Sequence, residues 1–305
     1  MKAREILQHY ASNQRNFQNQ SFSEIDLSNL DLSEINFCHA NLSSSNLSHI
    51  NLSRAKLVWT DLNRANLQKA NLAQVDLCHG SLCRANLKSA NLTQSNLDNA
   101  QLHFANLEFA NLAQASLIEA FLEEACLSRA NLTDANFYRA VLKGSRCIEA
   151  NFERANLSHA KGQDTNFTKA NLQQADLAKA RFCRTIFHRA NFNRADLVEA
   201  DLNHTDLTQA ILTEAQLELA NLVEADLSYA NISYASLFKA NLSGSSLISA
   251  KLDRTDLRGT NLENARLEGV DFSTCRVKGA LLTNAFGLTI PQKQWLRANG
   301  ALNIS

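Results

Sequence analysis

Proline is nearly absent from this 305-residue chain: Pro291 is the only one, and glycine occurs nine times. A chain of this length punctuated by ordinary turns would need dozens of such residues, so conventional loop-connected domains are not expected. No apolar run approaches the roughly 20 residues of a membrane-spanning helix. The opening stretch, MKAREILQHYASNQRNF, has no apolar leader core. Excess charge is also missing, because thirty acids offset thirty bases. A dedicated nucleic-acid binder usually carries a basic excess and a DNA mimic an acidic one, so nucleic acid is not an expected partner. The seven cysteines form no CxxC pair and are odd in number. That argues against a disulfide framework and for a reducing, cytoplasmic setting with no membrane association. What is present is a 45% apolar chain dominated by Leu, Ala, Asn and Ser, with enough apolar side chains to build a core.

Those residues are arranged with a period of five. A large apolar residue falls at Phe22, Leu27, Leu32, Phe37, Leu42 and so on to Leu282, which makes 53 central positions without a slip. All are Leu or Phe except Cys147, Gly162, Ile232 and Val277. Two residues before each centre sits a small residue, such as Ala65 or Ala85. Between them lies Asn or Asp, as at Asn66 and Asp76. Such a period fits no helix, where every fifth residue drifts by about 140°. It fits no long strand either, where an odd period alternates faces. A corner every five residues resolves both objections and points every central residue inward.

The run Ala-Asn-Leu-Lys-Ser-Ala-Asn-Leu-Thr-Gln at 85–94 resembles the pentapeptide-repeat family, and the resemblance covers roughly residues 21–285. It implies an all-β fold: a right-handed quadrilateral β-helix with four repeats per coil. Fifty-three repeats then give about thirteen coils and a tower of roughly 60 Å. Burying each Leu or Phe contributes roughly 1.5–3 kcal/mol, and Ala leaves room beside it. Asn and Asp suit the corners because their side chains hydrogen-bond nearby backbone.

The ends of a stacked coil expose pairing edges, and both termini read as helical caps: residues 1–20 and 286–305, flanking the repeat region 21–285. Residues 3–14 place Ile6, Leu7 and Tyr10 on one helical side. Thr289 with Gln292 matches a capping box, Pro291 lies in the first turn, and Asn299-Gly300 fits a stop. Trp295 and Leu296 then lie on the last coil. Large residues at the small site, Ile25, Leu30 and Ile35, mark an atypical first coil. These end segments are similar to those of cyanobacterial members of the family, including a group linked to heterocyst differentiation.

A filled interior leaves no pocket for catalysis, so no catalytic residue, metal or cofactor is expected. Cys38-His39 and Cys78-His79 recur two coils apart, about 10 Å, too far to share one zinc ion. Cys147 reads as a small core residue, and Gly162 marks the weakest repeat, a defect or a shallow dent. Lys179, Arg181, Arg184, Arg189 and Arg194 ring one level, three to four coils from Glu108, Glu119, Glu123 and Glu124. They read as a solvated wall with longitudinal pairs such as Arg184 with Asp164, or as a dock for an acidic partner. Apolar residues at outward sites are the sharper clue. Phe104 and Phe109 form one group, with Ile118 and Phe121 nearby. Leu219, Val223, Tyr229, Tyr234, Phe238 and Ile248 form a second. Together these features predict a non-enzymatic interaction protein, monomeric rather than dimeric, that presents rigid walls to a protein partner such as a regulator. The competing reading is a DNA-mimic inhibitor or protector of DNA gyrase, since some members of the family bind topoisomerases in that way.

Overall fold

In a computed structural model of the chain, residues 3–304 are described. Residues 1, 2 and 305, at the outer edges of the two expected caps, lie outside them. The chain divides into two compact units, Met1–Asn151 and Phe152–Ser305. Two helices are present, α1 (Ala3–Ala11) and α2 (Ile290–Ala298). Among the described residues the remainder forms no extended strand. It consists of turns and single parallel bridges, nearly all joining residue n to residue n + 20, such as Asn41 to Asp61 in the first unit and Asp176 to Asp196 in the second. Four repeats therefore complete a coil, and residues twenty apart share a wall.

The repeat accounts for all five of its backbone N–H groups, which explains its consensus. Around Leu42, the Leu42 N–H donates to Asp61 O at 2.7 Å and the Ser44 N–H to Asn63 O at 2.8 Å, both one coil on. The Asn41 N–H donates to Gln20 O, one coil back, and Ser45 N–H closes the corner onto Leu42 O. The fifth donor, Ser43 N–H, is taken by the Asn41 side-chain oxygen at 2.9 Å. The Asn or Asp of the consensus is thus the acceptor for the one amide that the coil itself leaves unpaired. Central residues are buried throughout both units, and from Ile35 on so are the residues two before them.

Each corner is a type II turn, whose third residue must adopt positive φ. That residue lies two after the centre, and its φ is near +58° in almost every repeat, mostly without glycine: Arg64, Arg84, Phe104 and Arg184 are examples. For an L-residue this conformation costs about 1–2 kcal/mol. Thr274 is the exception: it is the one β-branched residue at this site and does not take positive φ. The regular bridge from Lys251 to Asp271 is missing, and the Arg254 N–H donates to the Thr274 hydroxyl at 2.9 Å instead of to a backbone carbonyl. Beside this distorted repeat lies a cavity of about 250 Å³ lined by Asp271, Phe272, Ser273, Pro291, Gln292 and Trp295. Thr274→Gly is expected to restore the regular corner and stabilise the second unit by about 1 kcal/mol in urea denaturation. A loss of stability would show that the irregularity is itself favourable.

The end segments depart from expectation in detail. The first unit's pairing begins at Asn16, bridged to Asn36, with Phe17 already buried, one repeat before the expected start. Helix α1 stops at Ala11 rather than running to residue 14. Asn13 takes φ +64°, with Gln14 N–H on His9 O and Asn13 N–H on Tyr10 O, a Schellman stop. Ile6 is fully buried and the Tyr10 hydroxyl donates to Ser33 O, but Leu7 is exposed rather than packed. Helix α2 carries the expected reciprocal Thr289–Gln292 box, and the Gln292 amide also donates to Val270 O at 2.7 Å. Leu296 is fully buried while Trp295 is only half-buried. After Gly300, at φ +82°, the chain turns back: Leu302 N–H donates to Ala280 O, and Leu282 N–H donates to Leu302 O.

Gly162 is neither a defect nor a dent. It is buried, and a Cβ built there would stand 2.0 Å from Cε1 of Phe182, one coil on. The Phe182 ring occupies the space a central side chain would take, within a run of packed rings from Phe152 through Phe167 and Phe187 to Phe192.

Candidate protein-binding wall

Because residues twenty apart share a wall, outward groups are assigned by register rather than by nearness in sequence. In the first unit, wall B is centred on Leu87, Leu107 and Leu127. Its floor rows are Asn106, Cys126, Arg146 and Glu108, Ser128, Ile148. Phe104 and Phe109 stand at its opposite edges. They belong to successive repeats, and their corners flank this wall on either side. Both rings are largely exposed, at 54% and 44%. Between the floor rows and the Phe104 edge lies an open groove of about 410 Å³, lined by Phe104, Ala105, Asn106, Glu108, Glu124, Cys126, Ser128, Arg146 and Ile148.

The groove exists because three residues leave the consensus. Asn66 donates to Asn46 and Asn86 to Asn66 along this wall, and the row of asparagines stops at Asn106, where Cys126 follows. Gly144 supplies no side chain at the edge row, so the Glu124 carboxylate lies over it, with Oε1 2.6 Å from where a Cβ would be. Ile148 supplies an apolar floor at the far end. None of this was legible from aromatic positions alone. The signals were the missing Asn at Cys126 and the glycine at Gly144, in two rows of the same wall.

Cations crowd the aromatic edges. Arg84 lies over Phe104 at 5.4 Å, and Lys88 and Arg129 each lie 5.5 Å from Phe109. Such contacts hold exposed rings in place. Lys88 is paired with Glu108 at 2.6 Å and Arg129 with Glu149 at 2.9 Å. Ile118 and Phe121 sit on the two preceding walls, outside the groove, with Phe121 beside the His103 ring.

The second apolar group runs around the second unit rather than along one wall. By the same register Leu219 and Phe238 belong to one row of repeats in the second unit, Val223 to the next, Tyr229 and Ile248 to the third and Tyr234 to the fourth; the corner residues Tyr229 and Tyr234 flank the Ile232 wall, and Tyr234 also edges the wall that carries Phe238. Five residues are a quarter turn, so neighbours in sequence face different directions. Two pairs are contiguous: Leu219 N–H donates to Phe238 O at 3.1 Å and Tyr229 N–H to Ile248 O at 2.8 Å. Cations from the same or the next coil lie over two rings, Lys239 and Arg258 on the half-buried Phe238 and Arg254 on the exposed Tyr234.

The basic ring is likewise spread over all four walls and is largely neutralised. Arg184 is bidentate to Asp164 at 2.8 and 3.0 Å, Arg194 pairs with Glu214 at 2.8 Å and Lys179 with Glu199 at 3.8 Å. Hydrogen bonds first and charge second raise the Arg184 and Arg194 guanidinium pKa values above their ordinary range. Arg181 and Arg189 have no carboxylate partner among the described ion pairs. The same longitudinal alternation recurs in Glu34 with Arg54 and Glu119 with Arg139. Rows in which acid and base alternate do not present the unbroken acidic rows that imitate a phosphate backbone.

Cys38-His39 and Cys78-His79 lie two coils apart on one wall, and the indole of Trp59 stacks on His79 at 4.3 Å between them. Among the described residues no three His, Cys, Asp or Glu side chains converge as metal ligands do. Burial pushes the thiols of Cys147 and Cys275 up to about 12, and burial followed by the charges of Asp76 and Asp98 raises Cys78. These three are poor nucleophiles at neutral pH. No helix among the described residues is long and apolar enough to cross a membrane.

Comparison with known proteins follows this geometry. No curated relative matches the chain. Among solved structures it is similar to HetL, a pentapeptide repeat protein involved in heterocyst differentiation regulation from the cyanobacterium Nostoc sp. The identity is 28%, covering 92% of this chain and 97% of that one, with a TM-score of 0.30. It is similar to QnrB1, a plasmid-mediated fluoroquinolone resistance protein, at 17% identity over 72% of this chain and 98% of that one, TM-score 0.41. A pentapeptide repeat protein from the cyanobacterium Cyanothece is 26% identical over 46% of this chain and 89% of that one, TM-score 0.24. The family described as pentapeptide repeats matches in eight copies, between residues 21 and 273. Structures of that family are right-handed quadrilateral β-helices, in keeping with the four-repeat register here. With the repeat matched over most of its length, the chain belongs to the pentapeptide-repeat family.

Proposed function

We propose that this chain is a non-catalytic protein-binding scaffold and that wall B of the first unit is its contact surface. The observation that carries this reading is the open groove between Phe104 and the wall floor, with a second exposed aromatic, Phe109, at the wall's other edge, on a backbone tied coil to coil by amide hydrogen bonds. A rigid surface loses little conformational freedom on binding, and exposed aromatics at a groove are the residues that dominate interface energies. The same reading takes α1 and α2 as caps on a solenoid of about thirteen coils, supported by the burial of Ile6 and Leu296.

Affinity capture from the native cell, quantified by mass spectrometry, tests it. Phe104→Ser with Phe109→Ser is expected to lower recovery of the bound protein more than tenfold. Tyr234→Ser with Phe238→Ser, which alters the second unit and leaves wall B intact, is expected to leave recovery within about twofold. Both variants keep the circular dichroism of the parent, because all four positions are outward. Equal recovery by the first variant and the parent removes wall B from the proposal.

A further inference from the structure

The charge on wall B is one-sided, and that side names the partner. From Arg64 to Glu149 the wall and its two edge rows carry six cations and three acids. Two of the acids, Glu108 and Glu149, are already held by Lys88 and Arg129. Glu124 is left against Arg64, Lys69, Arg84 and Arg146, none of which has a carboxylate within ion-pair distance among the described residues. In rows such as Glu34–Arg54, Glu119–Arg139, Asp164–Arg184 and Arg194–Glu214 acid and base alternate, and against them this surplus stands out in a chain whose net charge is zero.

The surplus is also ordered. Arg64, Lys69 and Arg84 occupy the coils before Phe104 and Phe109, and Arg146 lies at the far end of the groove. Basic, aromatic and apolar elements therefore follow one another along a line. From Arg64 to the level of Gly144 is four coils, about 19 Å, the length of six extended residues. The groove is open and shallow, so it suits a single extended segment and not a helix of about 10 Å diameter.

We infer that wall B binds an extended acidic protein segment of about six to eight residues, its carboxylates on Arg64, Lys69 and Arg84 and one aromatic or aliphatic side chain in the groove between Phe104 and Ile148. This rests on the reading of wall B as a contact surface and adds the chemistry of what it contacts. Arginine presents a planar fork of donors suited to carboxylates. The apolar anchor sets where along the wall the segment stops, and the charges draw it in.

The test is selection from a displayed library of random octapeptides on the full-length protein. Selected peptides are then measured by fluorescence anisotropy. The expected consensus carries at least two more acids than the unselected library, beside one Phe, Trp, Tyr or Leu. Affinity for such a peptide should fall at least tenfold in Arg64→Glu/Arg84→Glu and in Phe104→Ser/Phe109→Ser, and should weaken as salt rises. Unchanged thermal midpoints show that the variants remain folded. A basic or charge-neutral consensus overturns the inference, as does equal affinity for parent and variants. So does tighter binding of single-stranded DNA, or of a second copy of this chain, through the same residues. Capture of a native partner that still depends on Phe104 and Phe109 in such a case would leave wall B a contact surface for different chemistry. Loss of both results would end both readings.

Discussion

Gly162→Leu is expected to destabilise the second unit by more than 3 kcal/mol, although it moves the sequence toward the family consensus. The consensus centre is Leu, and Gly162 is the only glycine among the central positions. Its place is filled from the next coil, where Phe182 leaves no room even for a Cβ. Overpacking a closed interior typically costs about 1–3 kcal/mol for added methylenes. Here the clash is with a ring held by Phe167 and Phe187, at centroid distances of 5.5 and 5.7 Å, so yielding requires several rings to move. Phe182→Leu alone should cost about 1–3 kcal/mol, because it empties the volume beside Gly162. The double variant should be more stable than Gly162→Leu alone, since it rebuilds a Leu over a Leu as in most coils. A urea-denaturation cycle over the four proteins measures the coupling, expected to be about 2 kcal/mol or more. Additive effects would mean that Phe182 does not occupy the Gly162 site.

Removing residues 288–305 is expected to convert the protein to a self-associating species. The deletion takes away α2 and the returning segment, so the carbonyls of Ala280 and Val270 and the N–H groups of Gly279 and Leu282 lose their partners. It also uncovers the apolar end against which Leu296 is fully buried. An unpaired, flat edge is a template for another edge of the same kind. Sedimentation velocity should show a coefficient that rises with concentration, which the full chain should not show. Leu296→Asp should lower the thermal midpoint without shortening the chain, because it places a carboxylate in that buried site. A truncated protein that stays monodisperse at an unchanged midpoint would deny the C-terminal segment a capping role.

Much of this fold was legible in the sequence because a five-residue period constrains nearly every position. The central Leu and Phe, the small residue before them and the Asn or Asp between them lie where the period puts them. Three departures needed coordinates. Gly162 reads as a gap until the reach of Phe182 across a coil is seen. Thr274 looks ordinary among polar corner residues, and only the positive φ of its counterparts shows that a β-branched side chain is misplaced there. The wall groups were the hardest, because binding surfaces follow a period of twenty. Leu219, Val223 and Tyr229 are close along the chain but run around the coil, whereas residues twenty apart, or at two successive corners such as Phe104 and Phe109, share a wall.

The bridge register from n to n + 20 has a consequence for how such a chain changes over generations. Inserting one five-residue unit leaves every leucine inside, so the core records nothing. It nevertheless advances everything downstream by a quarter turn. Placed between Arg84 and Phe104, one unit would bring the basic and aromatic halves of wall B out of phase, each intact and no longer aligned. The molecule behaves as a combination lock in which stability is indifferent to the dial and recognition depends on it.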